Sequence, residues 1–391
     1  MCIMPSPSPY LDRMTQLAGD RAALVALLRV RPDKLTWPEI TTEVVEIGSA
    51  MAVWERHVPA TLLGSADEEA LVAAAADIEL WESQGHRFLT ILDEDYPSRL
   101  RGIHEAPPVL FGNGTLRGDD PAVSVVGSRE ASQRGLSIAR SVATSLAQEG
   151  VTVLAGLALG IDTAAHLAAL EAGGRTVAVI GTGINKTYPA ANRDLHRVIA
   201  KEGLLLSQFW PDAPPQKHTF LMRNATMSGY GVATVVVEAG EQSGARAQAR
   251  MAVAHGRPVI LTDLVVERND WAKALVDRPG VHVATALDDV MTVVRQLTTE
   301  RAAVQDQLRV LLSARPIRGH QPGRSGAVPR RTRPDRRAAT FATPSAPTAS
   351  RVRSARRHAL ATNAAQPARS SCTNRATGTR AVLPVRASQR R

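Results

Sequence analysis

The segment 122–166, AVSVVGSREASQRGLSIARSVATSLAQEGVTVLAGLALGIDTAAH, constrains the fold more than any other part of the chain. An apolar strand runs straight into Gly127-Ser128-Arg129, and a helix follows. A second strand then runs into Ala155-Gly156-Leu157-Ala158 and another helix that starts near Asp162. Strand followed at once by helix, twice over, predicts parallel strands joined by crossover helices. It also places two helix N-termini at strand ends, where unpartnered N–H groups and the helix dipole attract phosphate. A phosphate-bearing ligand is the first functional expectation.

The alternation continues through residues 121–300. Strands are predicted at Val123–Val126, Val151–Leu154, Thr176–Ile180, Leu204–Ser207, Val232–Val237, Val259–Leu261 and Val281–Ala284. Between them lie helical stretches such as Leu136–Gln148, whose Leu136, Ala139, Val142, Ala143 and Leu146 share one face. The run 232–237, VATVVV, suits a strand covered on both faces. The predicted class is α/β, an extended Rossmann-like, doubly wound, mostly parallel sheet. Residues 1–80 read as a small N-terminal helical domain. Its evidence is the spacing of Leu17, Leu24, Leu27 and Leu28, with further short helices around Val44 to Ile47 and Leu62 to Val72. Residues 81–120 add two lead-in strands, near Arg87–Ile91 and Val109–Phe111, so the sheet domain is read as 81–300. Residues 301–391 read as an Arg-rich, disordered C-terminal tail in which no periodic template fits beyond 316.

Charge separates the same regions. The whole chain carries +10. The tail holds twenty arginines, no lysine and two acids, Asp306 and Asp335, so the remaining residues 1–300 are net −8. Residues 121–260 are the mildly positive part, at +4. That suits a local anion site better than a broad nucleic-acid track. Cys2 and Cys372, at opposite ends, make neither a disulfide framework nor a zinc site, which points to a reducing, cytoplasmic setting. Neither a signal peptide nor an apolar stretch of membrane-spanning length is visible.

Ligands of doubly wound sheets sit at the carboxyl ends of the strands. Five such ends are candidates: Gly127-Ser128-Arg129, Gly156–Asp162, Gly181-Thr182-Gly183, Ser207-Gln208 and Glu238–Gly244. Arg129 offers a fixed charge and forked donors, and Ser128 and Ser243 offer hydroxyls at helix starts. Gly181-Thr182-Gly183 lacks the third glycine of a dinucleotide fingerprint, and no Walker A pattern occurs, which disfavours a nicotinamide enzyme and a P-loop ATPase. Asp162 and His166 lie four apart, on one helical face. They read either as an acid–base or metal-ligand pair or, more simply, as the N-cap of a helix beginning at Thr163 and a neighbouring pocket or packing residue. Glu238 closes a buried strand, where it is free to accept from a base or ribose or to bond the next turn. No nucleophile–base arrangement stands out. No cofactor and no metal is expected.

These motifs resemble the DprA/Smf family of DNA-processing proteins over roughly residues 85–260. The likeness rests on Gly127-Ser128-Arg129 with Ser132 and Gly135, and on Ala155-Gly156-Leu157-Ala158-Leu159-Gly160-Ile161-Asp162 with His166. It continues through Gly181 and Gly183 with Tyr188-Pro189 and Asn192, then Phe220 with Arg223-Asn224, and finally Glu238 with Ser243-Gly244. The resemblance implies a non-enzymatic protein that binds single-stranded DNA at these strand ends. Such a protein protects incoming strands, assists loading of the RecA recombinase in transformation and recombination, relieves inhibition by single-strand binding protein, and forms a homodimer. The DNA-binding candidates are Gly127, Ser128, Arg129, Gly156, Leu157, Ala158, Gly160, Asp162, His166, Gly181, Gly183, Arg223, Asn224, Glu238, Ser243 and Gly244. The N–H groups of 156–160 and 243–244 are expected to hold phosphate.

The chain departs from the family at Leu159 and Ala225, where basic residues are common, and at Ala155 and Gln208. Each lost phosphate contact lowers affinity. Lys186, Arg193 and Lys201 are candidate replacements. The family's C-terminal winged-helix domain is not recognisable; the Arg-rich tail stands there, as a charge-based nucleic-acid arm or an uninformative extension. Two other readings stay open: a nucleotide hydrolase or phosphoribohydrolase with Glu238 as its carboxylate, and an interaction module whose pocket has degenerated.

Overall fold

Short apolar runs become strands wherever helices cover both of their faces. A computed structural model describes residues 9–58 and 66–313 of the chain. The first helices are α1 (Pro9–Val30), α2 (Trp37–Ile47), α3 (Ala50–His57) and α4 (Ala66–Ser83). The first strands are β1 (Arg87–Thr90) and β2 (Val109–Gly114), separated by the one-turn helix α5 (Ser98–Arg101). The alternating part follows as β3 (Ala122–Gly127), α6 (Gln133–Gln148), β4 (Thr152–Ala155), α7 (Ile161–Glu171), β5 (Thr176–Val179), α8 (Arg193–Glu202) and β6 (Leu204–Ser207). It ends with α9 (Lys217–Tyr230), β7 (Ala233–Glu238), α10 (Gly244–Ala254), β8 (Val259–Thr262), α11 (Asp263–Arg268), α12 (Asp270–Val276), β9 (Val281–Ala284) and α13 (Leu287–Ser313). Every predicted strand is present, with ends shifted by one to three residues in places. The expected boundary at residue 300 falls inside α13. Of the tail read as disordered, residues 301–313 are instead the last part of α13, and the rest lies outside the described residues.

The strands form one sheet in the order β1-β2-β6-β5-β4-β3-β7-β8-β9. All neighbours from β6 to β9 pair in parallel, while β1–β2 and β2–β6 are antiparallel. The order reverses at β3, which has β4 on one side and β7 on the other. Ligand crevices open at such a reversal, outside the carboxyl ends of the strands. Alternation divides the core between the faces. Val123, Val125, Val235 and Val237 pack with Ala139, Val142 and Leu146 of α6, Ala165 of α7 and Val294 of α13. Val126, Leu154, Val236 and Leu261 belong to the opposite cluster with Met227 and Tyr230 of α9 and Ala249 of α10.

That second cluster runs without interruption into the N-terminal helices, through Leu24, Leu27, Val44 and Trp54. An aromatic group joins them to the sheet edge. Trp81 of α4 lies 5.0 Å from Phe111 of β2 and 5.3 Å from Phe88 of β1, and Trp210 lies 5.4 Å from Trp37 of α2. Edge-to-face contacts of this kind add about 0.5–1.5 kcal/mol each beyond burial.

Candidate nucleic-acid interface

β3 ends at the reversal point, and Gly127 sits where α7 and β7 converge. A Cβ there would lie 2.6 Å from Ile161 Cγ1 and 2.7 Å from the Glu238 carbonyl oxygen, so only glycine fits. The Ser128 amide donates to the Glu238 carbonyl (2.7 Å), and the Ser128 carbonyl accepts from Ile161 N (3.2 Å). Its hydroxyl accepts from the Glu130 amide (3.1 Å). The Ser128 backbone is therefore part of the joint between β3, β7 and α7. Arg129, next along, is exposed. Its guanidinium stands 5.8 Å from the Phe220 ring centre, and it has no acidic partner within ion-pair distance among the described residues.

Glu238 lies behind this corner. Its carboxylate accepts from the Ser132 amide and hydroxyl, both at 2.9 Å, and Ser132 in turn caps α6 by accepting from Gly135 N (3.1 Å). A helix cap of this type stabilises by roughly 1 kcal/mol. Glu238 thus anchors the start of α6 and is not among the residues lining the crevice.

The loop after β4 corrects one expectation. The helix begins at Ile161 with Gly160 as its N-cap, so Asp162 lies in the first turn and is not the cap. Its carboxylate folds back to accept from Gly156 N (3.0 Å) and Ala158 N (3.3 Å). Two amides expected to face phosphate are therefore turned inward. Other groups lock the same loop. Arg223, on α9, donates through Nη1 to the carbonyls of Gly156 (2.7 Å) and Val179 (2.8 Å), tying the ends of β4 and β5 together. A Cβ on Gly156 would collide with that guanidinium. Asn192 Nδ2 donates to the Leu157 carbonyl (2.9 Å), and Leu157 is fully buried in a left-handed conformation at φ 58°. Such backbone costs of order 1–3 kcal/mol and persists where surrounding contacts over-determine it.

Burial pushes the Asp162 carboxyl up, against the Arg223 guanidinium and the two amides that favour its charged form. Burial likewise lowers Arg223, opposed by Asp162. His166 lies one turn further, fully buried, with Nδ1 2.6 Å from Thr176 Oγ1. Burial, helped by the nearby Arg223 charge, brings its pKa down to about 3, so the imidazole is neutral. His166 packs beneath the loop and does not line the crevice.

Three further predicted glycines pack closely. Gly181 lies against the Phe220 ring, Gly183 against the carbonyls of Trp210 and Pro211, and Gly160 against those of Ser128 and Arg129. Phe220 is held by α9, whose Lys217, Phe220, Arg223, Asn224 and Met227 recur at three- and four-residue spacing and face the crevice. Asn224 Nδ2 donates to the Gly244 carbonyl (3.3 Å), which fixes α9 to the start of α10. Ser243 caps α10 by accepting from Ala245 N (3.2 Å). Among the described residues, the Gly244 and Arg129 amides have no protein acceptor.

These elements enclose a crevice of about 630 Å³. Of the predicted residues it brings together Gly127, Ser128, Arg129, Ala158, Asp162, Arg223, Asn224, Ser243 and Gly244. A smaller recess of about 60 Å³ adjoins it, lined in part by Gly156, Leu159, Tyr188 and Phe220. Tyr188 is 42 % exposed, with its ring 5.5 Å from that of Phe220. Leu157, Gly160, His166, Gly181, Gly183 and Glu238 support the crevice from behind. Lys217 and Gln248 also line it and were not foreseen. The available signal was helical spacing: Lys217 lies one turn before Phe220, and Gln248 one turn after Gly244. Lys217 is exposed and, like Arg129, has no ion-pair partner among the described residues. No group of three or more potential metal-ligating side chains occurs among those residues.

A doubly wound sheet with an open crevice at its reversal point defines a Rossmann-like protein. The family model for DNA recombination-mediator protein A matches residues 87–295, more than half of the chain, and the chain belongs to that family. It is 41% identical over 216 residues to the DNA processing protein DprA of Streptococcus pneumoniae, covering 54% of this chain and 75% of that one. It is 37% identical over 233 residues to a putative DNA processing protein DprA of Mycobacterium tuberculosis, covering 56% and 60%. Protein Smf of Synechocystis is 38% identical over 187 residues, covering 46% and 47%, so the match spans about half of that relative's length. The crystal structure of the Streptococcus pneumoniae protein superposes with a TM-score of 0.54 at 29% identity, covering 71% of this chain and 95% of that one.

Proposed function

We propose that this chain binds single-stranded DNA in the crevice at the β3–β7 reversal and acts, without catalysis, as a mediator of DNA processing in transformation and recombination. The observation that carries this reading is that two exposed cations with no ion-pair partner among the described residues, Arg129 and Lys217, line one crevice with Phe220, whose ring centre lies 5.8 Å from the Arg129 guanidinium. Cations tracking a backbone beside an aromatic face are the means by which single strands are held without sequence readout. A crevice of about 630 Å³ suits unstacked nucleotides and is too small to admit a duplex. Membership of the recombination-mediator family supports the same conclusion. The chain's partners are then RecA, single-strand binding protein and a second copy of itself, and its setting is the cytoplasm. No helix among the described residues is long and apolar enough to cross a membrane.

The hydrolase reading loses its catalytic group, because the Glu238 carboxylate is engaged by Ser132. The test is fluorescence anisotropy with oligo-dT and with duplex DNA of equal length. Oligo-dT is expected to bind more tightly, and Arg129→Ala to weaken that binding about tenfold, of the order of one charge-assisted phosphate contact. Equal affinity of wild type and variant rejects the site.

A further inference from the structure

A separate groove of about 260 Å³ lies where the N-terminal helices meet the sheet domain. Trp37 and Pro38 at the start of α2, Pro107 ahead of β2, Leu221 and Met222 of α9 and Met251 of α10 line it. Leu221 is 50% exposed and Met222 40%. The polar side chains of the lining are engaged elsewhere. Gln208 Oε1 accepts from Thr226 Oγ1, the Trp37 indole N–H donates to the Leu28 carbonyl (3.0 Å), and Glu105 Oε2 lies 2.8 Å from His255 Nε2. The groove thus presents mostly hydrocarbon, an indole ring and two thioethers. Water has few partners there, and an apolar side chain that displaces it gains the burial of both surfaces. The flexible methionines adapt to the shape that enters. Helix α9 divides this groove from the crevice. Lys217, Phe220 and Arg223 line the crevice, Met222 and Ala225 the groove, and Leu221 both.

Charge decides what fits. Among the described residues that line the groove, Glu105 alone is charged, and its side chain is 51% exposed. Glu39, next to Pro38, is exposed as well. Residues 1–120 hold nineteen acids and ten bases, net −9. That field disfavours a polyanion, and a two-fold pairing of copies through this face gathers like charges. A basic protein segment meets neither obstacle. An apolar cavity of about 150 Å³ already admits a benzene ring. At about 260 Å³ the groove has room for an aromatic side chain and a smaller aliphatic one. We propose that this groove docks a partner protein through a segment that inserts one aromatic and one aliphatic side chain and sets a lysine or arginine against Glu105. Because Leu221 lines both sites, such a partner sits beside the crevice without entering it. The docking does not depend on what the crevice binds.

The test uses the full chain and three fluorescein-labelled twelve-residue peptides in a glycine–serine background. The first carries phenylalanine and leucine three positions apart, flanked by two lysines. The second has serine in place of the two apolar residues, and the third has glutamate in place of the lysines. The wild type is expected to bind the first with a Kd below about 1 mM and at least about tenfold more tightly than either of the others. Met222→Asp sets a charge in the groove and lies outside the crevice lining. It is expected to lose about tenfold on the first peptide while oligo-dT affinity changes less than about twofold. A wild type that binds the first peptide no better than the second or the third, or binds none of them below that concentration, overturns the inference. So does a folded Met222→Asp protein that binds the first peptide as the wild type does. A variant that loses oligo-dT affinity instead assigns the groove to the strand, and one that turns a wild-type dimer into a monomer in sedimentation assigns it to a second copy; each result overturns the inference. The comparison of the three peptides needs only the wild type, so it decides the matter even if the variant does not fold.

Discussion

The loops after β4 and after β7 look alike in sequence, since each carries glycine between a buried strand and a helix. They have opposite fates. In the β4 loop, Asp162 consumes the amides of Gly156 and Ala158, while Arg223 and Asn192 consume the carbonyls of Gly156 and Leu157. In the β7 loop the Gly244 amide has no protein acceptor among the described residues, and Gly244 lines the same crevice as Arg129 and Lys217. One acidic side chain in the first turn of a helix converts an anion site into an internal joint. The internal joint then holds the frame on which the open one works.

The largest effects are expected in the closed loop. Arg223→Ala leaves two strand-end carbonyls unpaired and the Asp162 carboxyl without its opposing charge. It should destabilise by about 3–5 kcal/mol in denaturant unfolding; a loss below about 1 kcal/mol breaks the comparison. The pH dependence follows from His166. Its folded pKa is depressed to about 3, so the unfolded chain takes the proton first as pH falls below the ordinary value near 6.5. The stability it contributes is complete above that value and falls by up to ~1.4 kcal/mol per unit towards pH 3. His166→Gln should flatten that part of the stability profile.

Two glycines sharpen the contrast further. Gly156→Ala drives a methyl into the Arg223 guanidinium and should cost about 1–3 kcal/mol. Gly244→Ala meets nothing within 4 Å at an ordinary helical start, so it should change stability by under about 0.5 kcal/mol. The smallest effect on stability is expected for Arg129→Ala and Lys217→Ala, within about 0.5 kcal/mol, because both side chains are exposed. Their effect is expected on DNA affinity instead.

How much of this was legible in the chain depends on the range of the interaction. The nine strands among the described residues announce themselves locally, as short and mostly apolar runs, and β3 and β4 run straight into Gly127 and Gly156. The Ser132 cap and the helical face from Ala139 to Leu146 are equally local. The closing of the β4 loop is not, because Arg223 reaches Gly156 from 67 residues away and Glu238 reaches Ser132 from 106. The N-cap reading of Asp162 fails because Gly160, two residues before it, takes that place. Lys217 and Gln248 went unnoticed because they sit one turn outside motifs that were recognised, and only the packing of α9 against α10 brings them to the same crevice.

The most direct test of the open rim is the salt dependence of affinity for oligo-dT, compared between the wild type and Arg129→Ala/Lys217→Ala. Loss of two phosphate contacts on a single strand predicts a slope of log affinity against log salt that is shallower by about 1.4. Identical slopes, with both proteins folded, would contradict the assignment of these two side chains to the DNA backbone.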